Sequence, residues 1–331
     1  MSANERMTKQ HDAKMVGHGE EIERVISAKS SGRMHHAWLI SGPQGVGKSM
    51  FAKQFAKWLL QRGPEDSSAT VFSYPENDPG AHKVQALTHP DFMLIDSGAD
   101  LLDVGKSNGT IVVDEVRAAS SFSHKMPVES HYRVLIVDSI DEMNFNASNA
   151  LLKVLEEPPE NMVLILLNHA PGKVLPTIRS RCYQLKLNPL SFEEFRRVLL
   201  RDHALSTIDL EKLYKITAGA PGMALEAISL HLLPTLSKLP QVLQSNDIEA
   251  WRELIALCKK HQSSITSIAD LLLSTLRIEI SEIAAHNLEC AHTMLQSLMA
   301  IEQAFVNAKK SHLDLESALL AAFNNAALFA R

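Results

Sequence analysis

Between residues 42 and 49 the chain reads Gly-Pro-Gln-Gly-Val-Gly-Lys-Ser. Gly42, Gly45 and Gly47 are spaced to let a backbone turn tightly and aim successive N–H groups at a polyphosphate, and a following helix adds the positive end of its dipole. In that arrangement Lys48 would bridge the β- and γ-phosphates, and the Ser49 hydroxyl would ligand Mg²⁺. The chemistry on offer is nucleoside triphosphate binding. It requires a strand before the loop and a helix after it. An apolar run, Ala37 to Ile40, precedes, and helical spacing from Met50 to Leu60 follows.

A second group lies about ninety residues on. The run from Arg133 to Val137 is continuously apolar after its first residue and ends in Asp138, as expected of a parallel strand buried on both faces. An acid at that point would hold the Mg²⁺ shell of a bound nucleotide. The next position, a water-orienting glutamate in motor ATPases, is Ser139. A hydroxyl cannot serve as that base, and losing a general base costs ~10²–10⁴ in rate. Weak or absent hydrolysis by this chain alone is the expectation. Asp141 and Glu142 are candidate substitutes, although their position suits capping the next helix better. A further buried run, Met162 to Leu167, ends at Asn168. Its amide could hydrogen-bond a γ-phosphate or a water, or simply form a turn.

The elements that must position these residues can be read from periodicity. A short amphipathic helix is expected from Glu20 to about Ala28, and others over 111–122 and 149–157, the last halted by Pro158-Pro159. Arg62 to Asp100 is rich in Gly and Pro and reads as a loop-rich insertion with one short helix at most and a strand at Phe92 to Ile95. Strands alternating with helices imply a parallel sheet whose ligand sits at the carboxyl ends, where Gly42, Asp138 and Asn168 all fall. Beyond Pro189 no strand pattern remains. Ser191-Phe-Glu-Glu194 is a capping box opening a helix, and helical spacing recurs over 208–217, 222–231, 248–260, 265–285, 290–309 and 315–329. Met294, Leu298, Ile301 and Phe305 form an interior stripe in that pattern.

At 331 residues the chain suggests two or three domains. Its net charge of −5 comes without any basic block, which argues against holding DNA on its own. No apolar run approaches membrane-spanning length, and the polar stretch Met1 to Arg24 lacks the apolar core of a secretion signal, so a cytoplasmic location is expected. Cys182, Cys258 and Cys290 are far apart and form no C-x-x-C pair, which fits a reducing compartment. His35-His36 has no other ligand type at metal spacing nearby and is read as a boundary pair.

Pro176-Thr-Ile-Arg-Ser-Arg-Cys182, with Asn-Ala-Leu-Leu-Lys-Val-Leu-Glu-Glu-Pro-Pro at 149–159, resembles the clamp-loader branch of the AAA+ ATPases, and within it the delta prime type of the bacterial DNA polymerase III holoenzyme. Val16-Gly17-His18, the phosphate loop, Thr-His-Pro-Asp at 88–91, Val-Asp-Glu-Val-Arg at 113–117 and Ala-Gly-Ala-Pro-Gly at 218–222 extend the likeness over about two thirds of the chain. The resemblance implies an α/β AAA+ P-loop domain with a parallel sheet at 1–188, a small helical lid at 189–235 and an all-helical collar at 236–331. It assigns Arg181 as an arginine finger acting in trans on an adjacent subunit, with Arg179 as a nearby rival. A guanidinium on a developing γ-phosphate charge is worth ~10³–10⁵ in rate.

The departures from the family pattern matter as much. Gly222 stands where hydrolysing members carry an arginine after the lid loop. The four-cysteine zinc module of many relatives has no counterpart, since 62–90 contains no cysteine, so no zinc is expected. ATP with Mg²⁺ held through Ser49 and Asp138 is the cofactor the loop allows. Implied partners are the motor (tau/gamma) and delta clamp-loader subunits, with the sliding clamp and primed DNA reached through the assembly. Two alternatives stay open: a motor subunit hydrolysing ATP through Lys48, Asp138 and a base such as Glu142, and an AAA+ remodelling ATPase outside replication.

Overall fold

The computed structural model describes residues 15–61, 71–96, 111, 113–170, 172, 174–202, 209–245, 256 and 265–311. The chain divides into two compact units, Met1–Leu190 and Ser191–Arg331. In the first the elements run α1 (Gly19–Ser30), β1 (Ala37–Ser41), α2 (Lys48–Leu60), α3 (Pro79–Gln85), β2 (Phe92–Asp96), α4 (Val113–Ser123), β3 (Arg133–Asp138), α5 (Phe145–Glu156), β4 (Met162–Asn168), α6 (Pro176–Arg179) and β5 (Tyr183–Lys186). A single turn of 3₁₀ helix, Ile140–Glu142, joins β3 to α5.

The five strands make one parallel sheet in the order β2-β3-β4-β1-β5. Its strands are continuous apolar runs because both faces are covered, and the two-residue period of a strand sorts their side chains onto two cores. On one face Trp38, Ile40, Val134, Ile136, Ile165 and Leu167 pack with Ile22, Val25 and Ile26 of α1 and Phe51 and Phe55 of α2. On the other, Leu39, Leu135, Val137, Leu164 and Leu166 meet Val116 and Ala119 of α4 and Leu151, Val154 and Leu155 of α5. The register sets Ser41 of β1 beside Asn168 of β4, and Asp96 of β2 beside Asp138 of β3. The carboxyl ends that carry the candidate site are therefore side by side. This is the α/β AAA+ architecture the motifs implied.

Three local differences from the sequence reading have physical causes. Helix α5 begins one turn earlier than expected, at Phe145, because the Asn144 side chain accepts the Ala147 N–H at 2.8 Å and caps it. Strand β5 gives no apolar signal, since only Leu185 of its four residues is buried on this sheet edge. Ile111 is not helical but bridges Met143, and α4 starts at Val113.

The second unit opens with the expected capping box. The Ser191 N–H donates to Glu194 Oε2 at 2.9 Å, and the Glu194 N–H returns to Ser191 Oγ at 3.4 Å. The helices are α7 (Phe192–Asp202), α8 (Leu210–Ile216), α9 (Pro221–Ser229), α10 (Leu233–Ser245), α11 (Ile265–Ala284) and α12 (Leu288–Ser311). Helix α10 was hidden in the sequence by Pro234 and Pro240, yet it forms because Leu236 and Leu239 are buried in the unit's core. That core also takes Ile216, Met223, Leu272, Leu276, Met294, Leu298 and Ile301. The helices expected over 248–260 and 315–329 fall, apart from residue 256, outside the described residues. Among the described residues no helix is long and apolar enough to cross a membrane.

Candidate functional site

The phosphate loop leaves β1 at Ser41 and enters α2 at Lys48. A Cβ on Gly42 would lie 2.5 Å from the Leu187 carbonyl oxygen, so no larger residue fits where the loop crosses the chain leaving β5. Gly45 and Gly47 hold φ of 74° and 107°, in the left-handed region that glycine adopts without strain. The first helical bond runs from the Phe51 N–H to the Gly47 carbonyl at 2.8 Å. His18 Nε2 lies 3.2 Å from the Val46 carbonyl oxygen, tying the loop to the segment that leads into α1.

Lys48 is buried and folds its ammonium back onto the loop, donating to the carbonyls of Gly42 and Pro43 at 2.8 Å each. Burial pulls its pKa down to about 8, against the opposing pull of the Asp138 and Asp141 carboxylates. A polyphosphate offers this ammonium far better acceptors than two neutral carbonyls do. Asp138, at the end of β3, is also largely buried. Burial opposes its ionisation, but the His169 ring, the Ser49 hydroxyl and Lys53 outweigh that and hold its pKa below the ordinary carboxylate value. An anionic Asp138 in contact with the Ser49 hydroxyl is the donor pair that octahedral Mg²⁺ on a nucleotide uses. A cradle shaped for backbone approach, a buried cation and a paired carboxylate and hydroxyl fit nucleotide and metal together.

The structure thus gathers Lys48, Ser49 and Asp138. Asn168, 1% exposed, lies at the adjoining strand end, and its Oδ1 accepts the Ala170 N–H at 3.0 Å. That bond is a turn, and it leaves the amide N–H₂ as the group available to a phosphate oxygen. Ser139 sits at φ 72°, ψ 65°, and its hydroxyl donates to Asp138 at 3.5 Å. Asp141 does not cap α5; its carboxylate accepts the His169 backbone N–H at 3.0 Å, while Asn144 does the capping. Glu142 has an exposed side chain. His169 was missed by sequence reasoning, although its place beside Asn168 was a signal. Its Nε2 stands 3.4 Å from Asp138 Oδ1.

Arg181 follows α6. Its Nη2 pairs with Glu156 Oε1 at 2.9 Å, and its Nη1 donates to the Thr177 carbonyl at 3.0 Å. Arg179 is exposed. Cys182, beside the finger candidate, packs against the core, and burial pushes its thiol up to about 12. It is a packing residue rather than a nucleophile, because the thiolate is the reactive form. In the native protein at pH 8, peptide mapping after alkylation should find Cys182 unmodified. Labelling there as fast as in the denatured chain would contradict this.

Comparison with known proteins agrees with this geometry. A family model described as "DNA polymerase III, delta subunit" matches residues 17–191, more than half of the chain. A DNA polymerase III subunit delta' of Pseudomonas aeruginosa is 34% identical over 206 residues, 60% of this chain and 58% of that one. The subunit tau of Escherichia coli K12 is 30% identical over 223 residues, 66% of this chain and 32% of that one. The chain thus spans under two thirds of the length of these relatives. A crystal structure of a DNA polymerase III gamma subunit-related protein from Thermotoga maritima superposes with a TM-score of 0.53 at 20% identity, covering 95% of this chain and all of that one, a likeness of fold. The phosphate loop, the five-stranded parallel sheet and the Ser-Arg-Cys turn all lie within the matched segment, and the chain belongs to the DNA polymerase III delta subunit family.

Proposed function

We propose that this chain is a noncatalytic or weakly catalytic clamp-loader subunit of a bacterial DNA polymerase III holoenzyme. It binds ATP through Gly42, Gly45, Gly47, Lys48, Ser49, Asp138 and Asn168, and it presents Arg181 to the nucleotide site of a neighbouring motor subunit. One observation carries the reading: a complete nucleotide cradle ends, where a water-orienting carboxylate is needed, in Ser139, whose hydroxyl is turned onto Asp138. Gly222, in place of an arginine, points the same way.

In the neighbour, water attacks the γ-phosphorus and the bond to the β–γ bridging oxygen breaks. That oxygen keeps the electron pair as ADP leaves, and the water's proton passes to the neighbour's base and on to solvent. Arg181 would stabilise the charge gathering on the transferred group. Mg²⁺, when bound with nucleotide, supplies charge neutralisation at the phosphates; this chain's own part is to hold the phosphates and exclude misorientation. The partners are the motor (tau/gamma) and delta subunits, and the sliding clamp and primed DNA are met through the assembly, in the cytoplasm. The chain's own parts are an AAA+ domain at 1–188, a lid at 189–235 and a collar at 236–331.

Equilibrium ATP binding combined with turnover of the isolated chain tests the reading. Binding is expected, weakened at least about tenfold by Lys48→Ala through loss of a charge-assisted phosphate contact. Turnover should fall ~10²–10⁴ below that of a motor subunit, the usual loss when a general base is missing. Rapid turnover that disappears with Lys48→Ala would instead make the chain a motor in its own right.

A further inference from the structure

Both ends of the Arg181 guanidinium are engaged within its own chain. Glu156 Oε1 takes Nη2 at 2.9 Å and the Thr177 carbonyl takes Nη1 at 3.0 Å. Neither partner belongs to the phosphate loop, and the pair is open to solvent, with side-chain exposures of 37% for Arg181 and 50% for Glu156. Glu156 is the last residue of α5, and α5 is fixed by Leu151, Val154 and Leu155 in the core. A carboxylate at a helix carboxyl end sits against the negative end of the dipole, so it gains from a cation placed beside it. A rigid helix therefore holds an acceptor next to the arginine proposed to reach another subunit.

The geometry points to Glu156 as a positioning residue that holds the Arg181 finger withdrawn until a neighbour's γ-phosphate competes for it. This inference rests on the finger role proposed for Arg181. A phosphate carries more charge and more acceptor oxygens than one carboxylate, and it can take both guanidinium nitrogens in a fork, whereas Glu156 takes Nη2 and leaves Nη1 to the Thr177 carbonyl. The exchange then depends on how well the neighbour's nucleotide is presented. Glu156 thereby suppresses firing before the assembly has closed on DNA. The hold is weak by construction, because an exposed ion pair shifts an equilibrium by only about two- to fivefold.

The test uses the reconstituted clamp loader carrying Glu156→Gln, Arg181→Ala or both. Glu156→Gln is expected to raise ATP turnover without DNA about two- to fivefold. It should leave DNA-stimulated turnover close to wild type, because the neighbour already holds the finger there, and the stimulation ratio falls. The double variant should match Arg181→Ala alone. A purely structural role for the pair would lower both rates or leave the ratio fixed, and either result overturns the inference, as does a gain that persists without Arg181. If Arg181→Ala itself changes nothing, the finger reading fails with it. If Arg181→Ala lowers turnover and Glu156→Gln leaves the ratio intact, only the latch fails.

Discussion

Arg181→Ala in the assembled clamp loader is expected to slow ATP hydrolysis at the site it faces by ~10³–10⁵, the range over which arginine fingers act in phosphoryl transfer. The size follows from where charge appears. Negative charge spreads over the transferred group in the transition state, and a guanidinium placed there at low dielectric needs no reorganisation as the reaction proceeds. Nothing comparable is lost inside this chain, since the exposed pair with Glu156 is worth at most about 1 kcal/mol to folding. Turnover and clamp loading should therefore fall while the complex still elutes intact by size exclusion. Single-turnover hydrolysis at that site isolates the effect from the other motor subunits. Arg181→Lys should recover little, because an ammonium is a point charge without the planar fork. Wild-type rates for Arg181→Ala, or an equal loss for Arg179→Ala, would remove Arg181 from the role.

Much of this was legible in the sequence because the signals were local. The loop at 42–49 fixes its own chemistry by spacing, and the apolar runs 134–137 and 162–167 declare strands buried on both faces, which the two core clusters bear out. What was illegible depends on partners distant in sequence. Strand β5 exists because Trp38 to Ser41 of β1 pairs with 183–186, not because its own residues are apolar. His169 reaches Asp138 only once β3 and β4 lie side by side, and Asp141 bonds the backbone at 169 for the same reason. The hold of Glu156 on Arg181 likewise spans twenty-five residues and carries no periodic signal. In the second unit Pro234 and Pro240 masked α10, since a proline signal is local and the burial of Leu236 and Leu239 that overrides it is not.

The Thr-His-Pro-Asp segment carried the family likeness without an obvious duty, and the structure gives it one with a large expected effect. Asp91 is wholly buried and accepts the backbone N–H groups of Val128, Glu129 and Ser130 at 2.8, 2.7 and 3.0 Å. Arg133 Nη2 stands 3.5 Å away and is itself 4% exposed, and its guanidinium also donates to the carbonyls of Phe122, Met126 and Pro90 and covers the Phe122 ring at 4.3 Å. Arg133 begins β3, the strand that ends at Asp138, so this buried pair sets where the Asp138 carboxylate emerges. Removing one member of a buried pair strands the other charge, which costs about 3–5 kcal/mol. Asp91→Ala should accordingly lower the melting temperature of this unit by about 6–20 °C, at about 2–4 °C per kcal/mol for a unit of this size. Asp91→Asn keeps an acceptor for the loop N–H groups and should lose less. The decisive comparison is the double variant Asp91→Leu with Arg133→Met. With both charges gone, an apolar pair of similar volume should recover part of the loss despite three unpaired backbone N–H groups. If Asp91→Ala melts within 2 °C of wild type, by about the same scale, the pair is not what anchors β3.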